Sequence, residues 1–201
     1  MITYVTTAID WREPGGRSPA PSLALHRLQD FVNTNDIEAE RDALATPQQL
    51  HDWLVAAGAI DARDRVTPEA HARALAVREG LRALGCANNE EPLDTDRVAA
   101  MNRAAGRLTL VPAVRDSATW HLAPAASGVD GYLAGVLSTL VTSIADGSWS
   151  RMKSCRNDTC RWLFFDQSRN RSGTWCTMAI CGSRMKARAY RARRREEIQA
   201  T

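Results

Sequence analysis

Residues 155–193 read CRNDTCRWLFFDQSRNRSGTWCTMAICGSRMKARAYRAR, and the four cysteines in this run decide what the C-terminal part of the chain is. Four residues separate Cys155 from Cys160, four separate Cys176 from Cys181, and fifteen lie between the pairs. Two close pairs joined by a short loop let each pair supply adjacent corners of a tetrahedron. Zn²⁺ accepts four thiolates at about 2.3 Å without preferring a bond direction. Two disulfides, an iron–sulfur cluster or four unrelated thiols are the rival uses. The N-terminus, MITYVTTAIDWREPGGRSPAP, shows no basic start leading into an apolar stretch, so no secretory signal is expected and clustered cysteines point to metal. Four protein ligands leave no open position, so one structural zinc is expected, not a catalytic one.

Outward from the cysteines, Trp162, Leu163, Phe164 and Phe165 suit an apolar strand, and residues 166–173 (DQSRNRSG) a polar loop. Cys181 and Gly182 lead into the helix-forming stretch SRMKARAYRARRREE. A thiolate at a helix N-terminus faces the positive end of the helix dipole. The expected module is therefore treble-clef or ribbon-like: a cysteine knuckle, a hairpin, and a ligand opening a helix. That helix is basic. Arg184, Arg188, Arg191 and Arg195 recur at helical spacing as one stripe, Lys186, Arg193 and Arg194 widen it, and Arg169 and Arg171 in the polar loop can lie close by.

The charge is segregated. Residues 151–195 carry 13 basic and 2 acidic side chains, net +11, whereas residues 1–150 carry 13 and 19, net −6. Four thiolates around one Zn²⁺ leave −2, so the metal site accounts for only two of those positive charges. A solvated basic face is the plain account of the rest. A polyanion is the sharper one, because arginine forks match phosphate oxygens. Phosphate contacts position a protein without specifying sequence.

Upstream, residues 11–22 (WREPGGRSPAPS) form an extended lead-in, and Leu25, Leu28, Phe31 and Val32 begin a helical pattern. Thr46-Pro47-Gln48-Gln49 reads as a capped helix start carrying Leu50, Trp53 and Leu54, and ending near Gly58. Thr67-Pro68-Glu69 repeats the signal for a helix reaching about Gly85, and Asp94 or Thr95 caps another ending by Gly106. LTLVPAV (108–114) and ATWHLAP (118–124) flank Arg115-Asp116-Ser117 as a small β-hairpin. Residues 128–146 form a long apolar helix that Gly147 ends. The fold class is mainly α with a small β-hairpin, followed by the zinc module and its basic helix, with domains at 1–150 and 151–201. No apolar run of bilayer length is expected, so the protein is expected to have no membrane contact and to be cytoplasmic.

Other candidates are weaker. His26, His51, His71 and His121 are scattered without a metal motif. Cys86, near a helix end, packs as a small apolar group. Asp30, Asn33 and Thr34 in DFVNTND either make local bonds at a helix end or form polar walls of an effector pocket. No Gly-rich phosphate loop or nucleophile elbow is present, so an enzyme is not expected.

The quoted run resembles the CGNR zinc-finger family, whose bacterial members are described as stress-induced transcription regulators. Phe165-Asp166 and Ser168 fit its pattern, as do Trp175, Cys176 and Met178, then Cys181, Gly182 and Arg184. Ser183 stands where the family has Asn. The upstream part, through DFVNTND (30–36) and DALATPQQLHDWLVAAGAI (42–60), is similar to the family's helical N-terminal domain, called ABATE. The resemblance implies a DNA-binding regulator whose helical domain receives a small-molecule effector or pairs subunits. The alternative is a zinc-stabilised protein-interaction module without direct DNA binding.

Overall fold

The computed structural model describes residues 19–114 and 120–199. Helix α1 (Leu23–Val32) starts where Ser22 Oγ accepts from Leu25 N, and buries Leu25, Leu28, Gln29, Phe31 and Val32. A two-residue antiparallel pair, β1 (Asn35–Asp36) and β2 (Arg41–Asp42), follows. Helices α2 (Pro47–Ala56) and α3 (Pro68–Asn88) begin as the sequence indicates. Thr46 and Thr67 each cap the third residue onward, with proline in the first turn. Gly58 closes α2 with φ +65°. Helix α4 (Thr95–Ala105) is capped by Asp94, which accepts from Arg97 N.

Strands β3 (Leu110–Val114) and β4 (Trp120–Pro124) form the expected hairpin; its proposed turn, 115–117, lies outside the described residues, as does most of the 11–22 lead-in. Helix α5 (Gly128–Ala145) then returns through the core. A short 3₁₀ turn (Ser148–Arg151) leads to β5 (Met152–Ser154) and its antiparallel partner β6 (Leu163–Phe165). A wide helical turn (Met178–Gly182) feeds α6 (Ser183–Gln199).

One expectation needs correcting. α5, at 18 residues and mean hydropathy 1.3, is long and apolar enough by length and composition to cross a bilayer. Its apolar character serves packing here. Val129, Leu133, Ala134, Val136 and Leu140 are buried against the other helices.

The main core joins α1, α2, α3 and α5 through Leu28, Phe31, Leu50, Leu54, Val77, Leu81 and Leu133. It does not stop at residue 150. Trp149, Met152, Leu163 and Phe165 belong to the same cluster. The close approach of α3 to β5–β6 depends on Gly85. A Cβ there would lie 2.6 Å from Leu163 Cδ1 and 2.7 Å from Ser154 Oγ.

Polar side chains of the body then grip main-chain atoms of the β5–β6 unit. In the antiparallel register, Leu163 faces Ser154 at a position whose peptide groups point away from β5. Helix α1 and the residue after it satisfy them. Asn33 Nδ2 and Gln29 Nε2 donate to Leu163 O at 2.8 and 3.0 Å, and Leu163 N donates to Asn33 Oδ1 at 2.8 Å. Asn88 Nδ2 donates to the carbonyls of Trp149 and Met152, and Asn89 Nδ2 to those of Ser154 and Thr174. Arg82, 1 % exposed, donates to the carbonyls of Val32, Asn35 and Arg161 and to Glu79. A buried guanidinium is tolerable only when its donors are met in this way.

Candidate metal centre and basic helix

The first cysteine pair sits in the loop joining β5 to β6. Cys155 N donates to Trp162 O, and the amides of Cys160 and Arg161 both return to Asn157 O at 2.9 and 3.0 Å. The loop closes with Arg161 at φ 51°, a conformation that costs a non-glycine residue about 1–2 kcal/mol. Two anchors hold it there: its carbonyl accepts from Arg82 and its guanidinium pairs with Glu91. The second pair is shaped by Thr177, whose Oγ1 accepts from Ile180 N at 3.1 Å, and by Gly182 N donating to Thr177 O at 3.0 Å. Cys181 thereby lies one residue before Gly182, at the threshold of α6.

All four Sγ atoms lie within 4.8 Å of one another, and all four residues are buried. Cys160 Sγ is 3.7 Å from Cys176 Sγ, and Cys176 Sγ is 3.6 Å from Cys181 Sγ. A tetrahedron with zinc–sulfur bonds of about 2.3 Å has edges of about 3.8 Å. A disulfide needs about 2.05 Å, and none of the five cysteines is bridged. The quartet therefore fits one four-coordinate zinc held by Cys155, Cys160, Cys176 and Cys181, as the spacing indicates.

Without a cation the quartet cannot all ionise. Hydrogen bonds from Cys155, Cys160 and Cys176 pull the Cys181 thiol far below its ordinary pKa. Hydrogen bonds with Cys155, and also with Cys181, hold Cys176 and Cys160 protonated, well above theirs. A divalent ion at the centre removes that conflict, because it favours all four thiolates at once. Asn157 supports the arrangement from outside: its Nδ2 is 3.7 Å from Cys181 Sγ, and Thr159 Oγ1 donates to its Oδ1 at 3.0 Å. Trp162, Phe164, Trp175 and Ile180 pack around the sulfurs. Asn157 is silent in the sequence, since an asparagine between two cysteines carries no signal until the fold aims it.

The polar loop after β6 is organised by Asp166, 3 % exposed. Its carboxylate accepts from Lys153 Nζ at 2.9 Å, Ser168 N at 2.9 Å and Gly173 N at 2.8 Å. Burial alone would raise its pKa. The hydrogen bonds from Ser168, Lys153 and Gly173 outweigh burial and hold it at about 2. Lys153 also donates to the carbonyls of Arg171 and Gly173. Ser183, where the resembling family has Asn, donates from Oγ to Met178 O at 3.1 Å, so it fastens the turn before α6.

Helix α6 is exposed from Lys186 to Ile198. The stripe is real but shared. Arg184 pairs with Glu38, and Arg188 lies 3.3 Å from Asp158, while Arg191 and Arg195 continue the same face. At 100° per residue, Lys186 and Arg193 fall roughly opposite that face, and Arg194 flanks it. Lys186 and Arg193 do not widen the stripe as expected but make the helix basic on two sides, whereas Arg194 widens it. Arg169 is exposed in the Asp166 loop. Arg171 turns back, its guanidinium donating to Ser150 Oγ at 3.1 Å.

The remaining candidates separate. Asn33 caps the end of α1 through its backbone amide, but its side chain holds Leu163 and makes neither a local bond nor a pocket wall, whereas Thr34 Oγ1 donates to Phe31 O at 2.7 Å, a local bond. Asp30 does line a cleft. His71 Nε2 lies 2.7 Å from Leu44 O, and no histidine joins the metal cluster. Cys86 is half-buried, and burial pushes its thiol up.

Comparison with protein families matches residues 151–194 to "CGNR zinc finger" and residues 25–147 to ABATE, "Putative stress-induced transcription regulator". A search of curated proteins returns no match.

Proposed function

The chain belongs to the ABATE family and carries a CGNR zinc finger, and from that premise we propose that it regulates transcription by setting α6 against DNA. The observation that carries this reading is the geometry of α6. It is a helix of 17 residues, about 25 Å long at 1.5 Å per residue, exposed from Lys186 to Ile198 and basic on two faces. A major groove about 12 Å wide presents a phosphate wall on either side, so a helix charged on both flanks suits it better than a one-sided stripe would. The bound zinc would supply no chemistry beyond fixing the turn that aims the helix.

Lys186, Arg191, Arg193, Arg194 and Arg195 are the primary phosphate contacts in this reading, with Arg169 an outlying one. Arg184 and Arg188 begin paired with Glu38 and Asp158, so DNA must compete for them. The protein acts in the cytoplasm, as a binder and not an enzyme. A second reading, a protein-interaction module, has one observation in its favour: Tyr190 and Ile198 expose 55 % and 70 % of their surface on α6.

Salt titration of duplex DNA binding by the zinc-loaded chain separates the two. Each neutralised phosphate contributes a slope of about −0.9 in log affinity against log salt. Replacing Arg191 and Arg195 together by Ala flattens that slope by up to ~2 units if each makes one contact, with zinc content unchanged. A parent protein that fails to bind duplex DNA at low salt rejects the regulator reading.

A further inference from the structure

A cleft of about 760 Å³ opens in the helical body between α1, the segment after α2 and the first turn of α5. That volume falls within the roughly 300–1,000 Å³ typical of small-molecule sites. The rings of Trp53 and Tyr132 line it, set edge-to-face with centroids 5.9 Å apart and backed by Phe31 at 6.0 and 5.5 Å. Asp30 stands on the α1 wall with His26 3.7 Å away, and Asp61 and Asp64 lie on the opposite rim. Leu23, Ile60 and Pro124 supply apolar surface.

One polar atom in this wall is unaccounted for. The Tyr132 hydroxyl is buried and has no hydrogen-bond partner. Leaving such a group unmet costs about 1–3 kcal/mol, and native structures seldom keep one unless water, an ion or a ligand meets it. Burial, and then the charge of Asp30, keep the phenol protonated. Three carboxylates and the electron-rich rings of Trp53 and Tyr132 around one cleft favour a positively charged guest, because carboxylates and ring quadrupoles attract the same sign. Arg27, the His26 ring beside Asp30, Arg63 at 3.9 Å from Asp61 and the amino end of α5 at Gly128 oppose this, so the charge of the guest has to be tested directly.

We propose that this cleft binds a small organic cation with an apolar body, its ammonium between Asp30 and the Tyr132 hydroxyl and its body against Trp53 and Ile60. Helix α1 carries the consequence toward the metal module. It bears Asp30 on the cleft and, one position earlier, Gln29, which with Asn33 just past the helix end holds Leu163. A guest that moves α1 shifts the grip on β6. Any effect on DNA affinity rests on the proposed role of α6; binding in the cleft does not.

The test uses the full zinc-loaded chain with phenethylamine and its anionic near-isostere 3-phenylpropionate as probes, read by calorimetry. Phenethylamine is expected to bind with a Kd in the millimolar range or tighter. Asp30→Asn is expected to weaken it at least about tenfold. Ala126→Trp, which fills the cleft from its exposed rim, should abolish binding while leaving the circular dichroism melt intact. No phenethylamine binding at ~10 mM, where even a −2.7 kcal/mol site is half filled, overturns the proposal. So does unchanged affinity in Asp30→Asn, or phenylpropionate binding at least as tightly. Amide exchange at Leu163 should change on saturation with phenethylamine, and no change there removes the link through α1. That readout needs no DNA, so a failure of the DNA reading leaves it standing.

Discussion

Replacing Asn33 by Ala tests whether the metal module is truly held by the helical body. Asn33 is 3 % exposed and exchanges two hydrogen bonds of 2.8 Å with the main chain of Leu163. In Asn33→Ala, Leu163 O keeps its bond from Gln29 at 3.0 Å, but Leu163 N is left buried without a partner. An orphaned buried donor costs about 1–3 kcal/mol, and the second lost bond about 0.5–1.5 kcal/mol. The sum, about 2–4 kcal/mol, corresponds to a Tm lower by roughly 4–16 °C in a chain of this size. The assay is urea unfolding followed by circular dichroism, alongside elemental analysis of zinc. Zinc should remain at full content near neutral pH, because Asn33 touches no sulfur. A loss below about 1 kcal/mol would mean that solvent satisfies Leu163 N at little cost, and the account of the docking seam would fail.

Other outcomes follow from the same structure. The purified chain should hold one zinc, lost in Cys176→Ser and kept in Cys86→Ser; mass spectrometry finding two disulfides would refute this. Zinc retention should fall with acid, because protons compete for the thiolates. Gly85→Ala should destabilise by about 1–3 kcal/mol in denaturant titration despite alanine's better helix propensity, since the added Cβ meets Leu163 and Ser154; a stabilised variant would show that the contact relaxes freely. Asp166 sits at about pKa 2 against an ordinary 3.8, so its contribution, about 2 kcal/mol, is complete above pH ~3.8 and is lost as pH falls through ~2. The stability difference between the parent and Asp166→Asn should shrink across that window. Lys153→Met should cost about 3–5 kcal/mol at neutral pH by leaving Asp166 buried and unpaired.

The sequence made plain what local chemistry dictates. Thr46, Thr67 and Asp94 announce their helices because a cap is satisfied within three residues. The cysteine quartet is legible because tetrahedral coordination constrains spacing. Strand β5 is not legible in the sequence: three residues are too few for an alternation, and the apolar run 162–165 suggests a hairpin after the first cysteine pair instead of around it. The amides of Asn33, Asn88 and Asn89 were equally silent, because their partners lie 130, 61 to 64, and 65 to 85 positions away. Arg82 reads as a surface residue of α3 until its carbonyl partners surround it. The opposite placement of Lys186 and Arg193 was available from helical geometry alone.

Much of the docking seam between body and finger is directed at peptide carbonyls and amides: Leu163 O and N, Met152 O, Ser154 O, Arg161 O and Thr174 O, beside the ion pairs of Glu90 with Arg156, Glu91 with Arg161 and Glu38 with Arg184. Every residue but proline offers the same carbonyl and amide. Those main-chain bonds are therefore blind to the side chains of the residues they hold. Thr174, held only through its carbonyl, and the exposed Arg191, Arg193 and Arg195 can be exchanged without renegotiating that attachment. A lineage carrying this architecture can retarget its finger by changing outward side chains while the coupling hardware stays in place, in the way a tool holder accepts different bits.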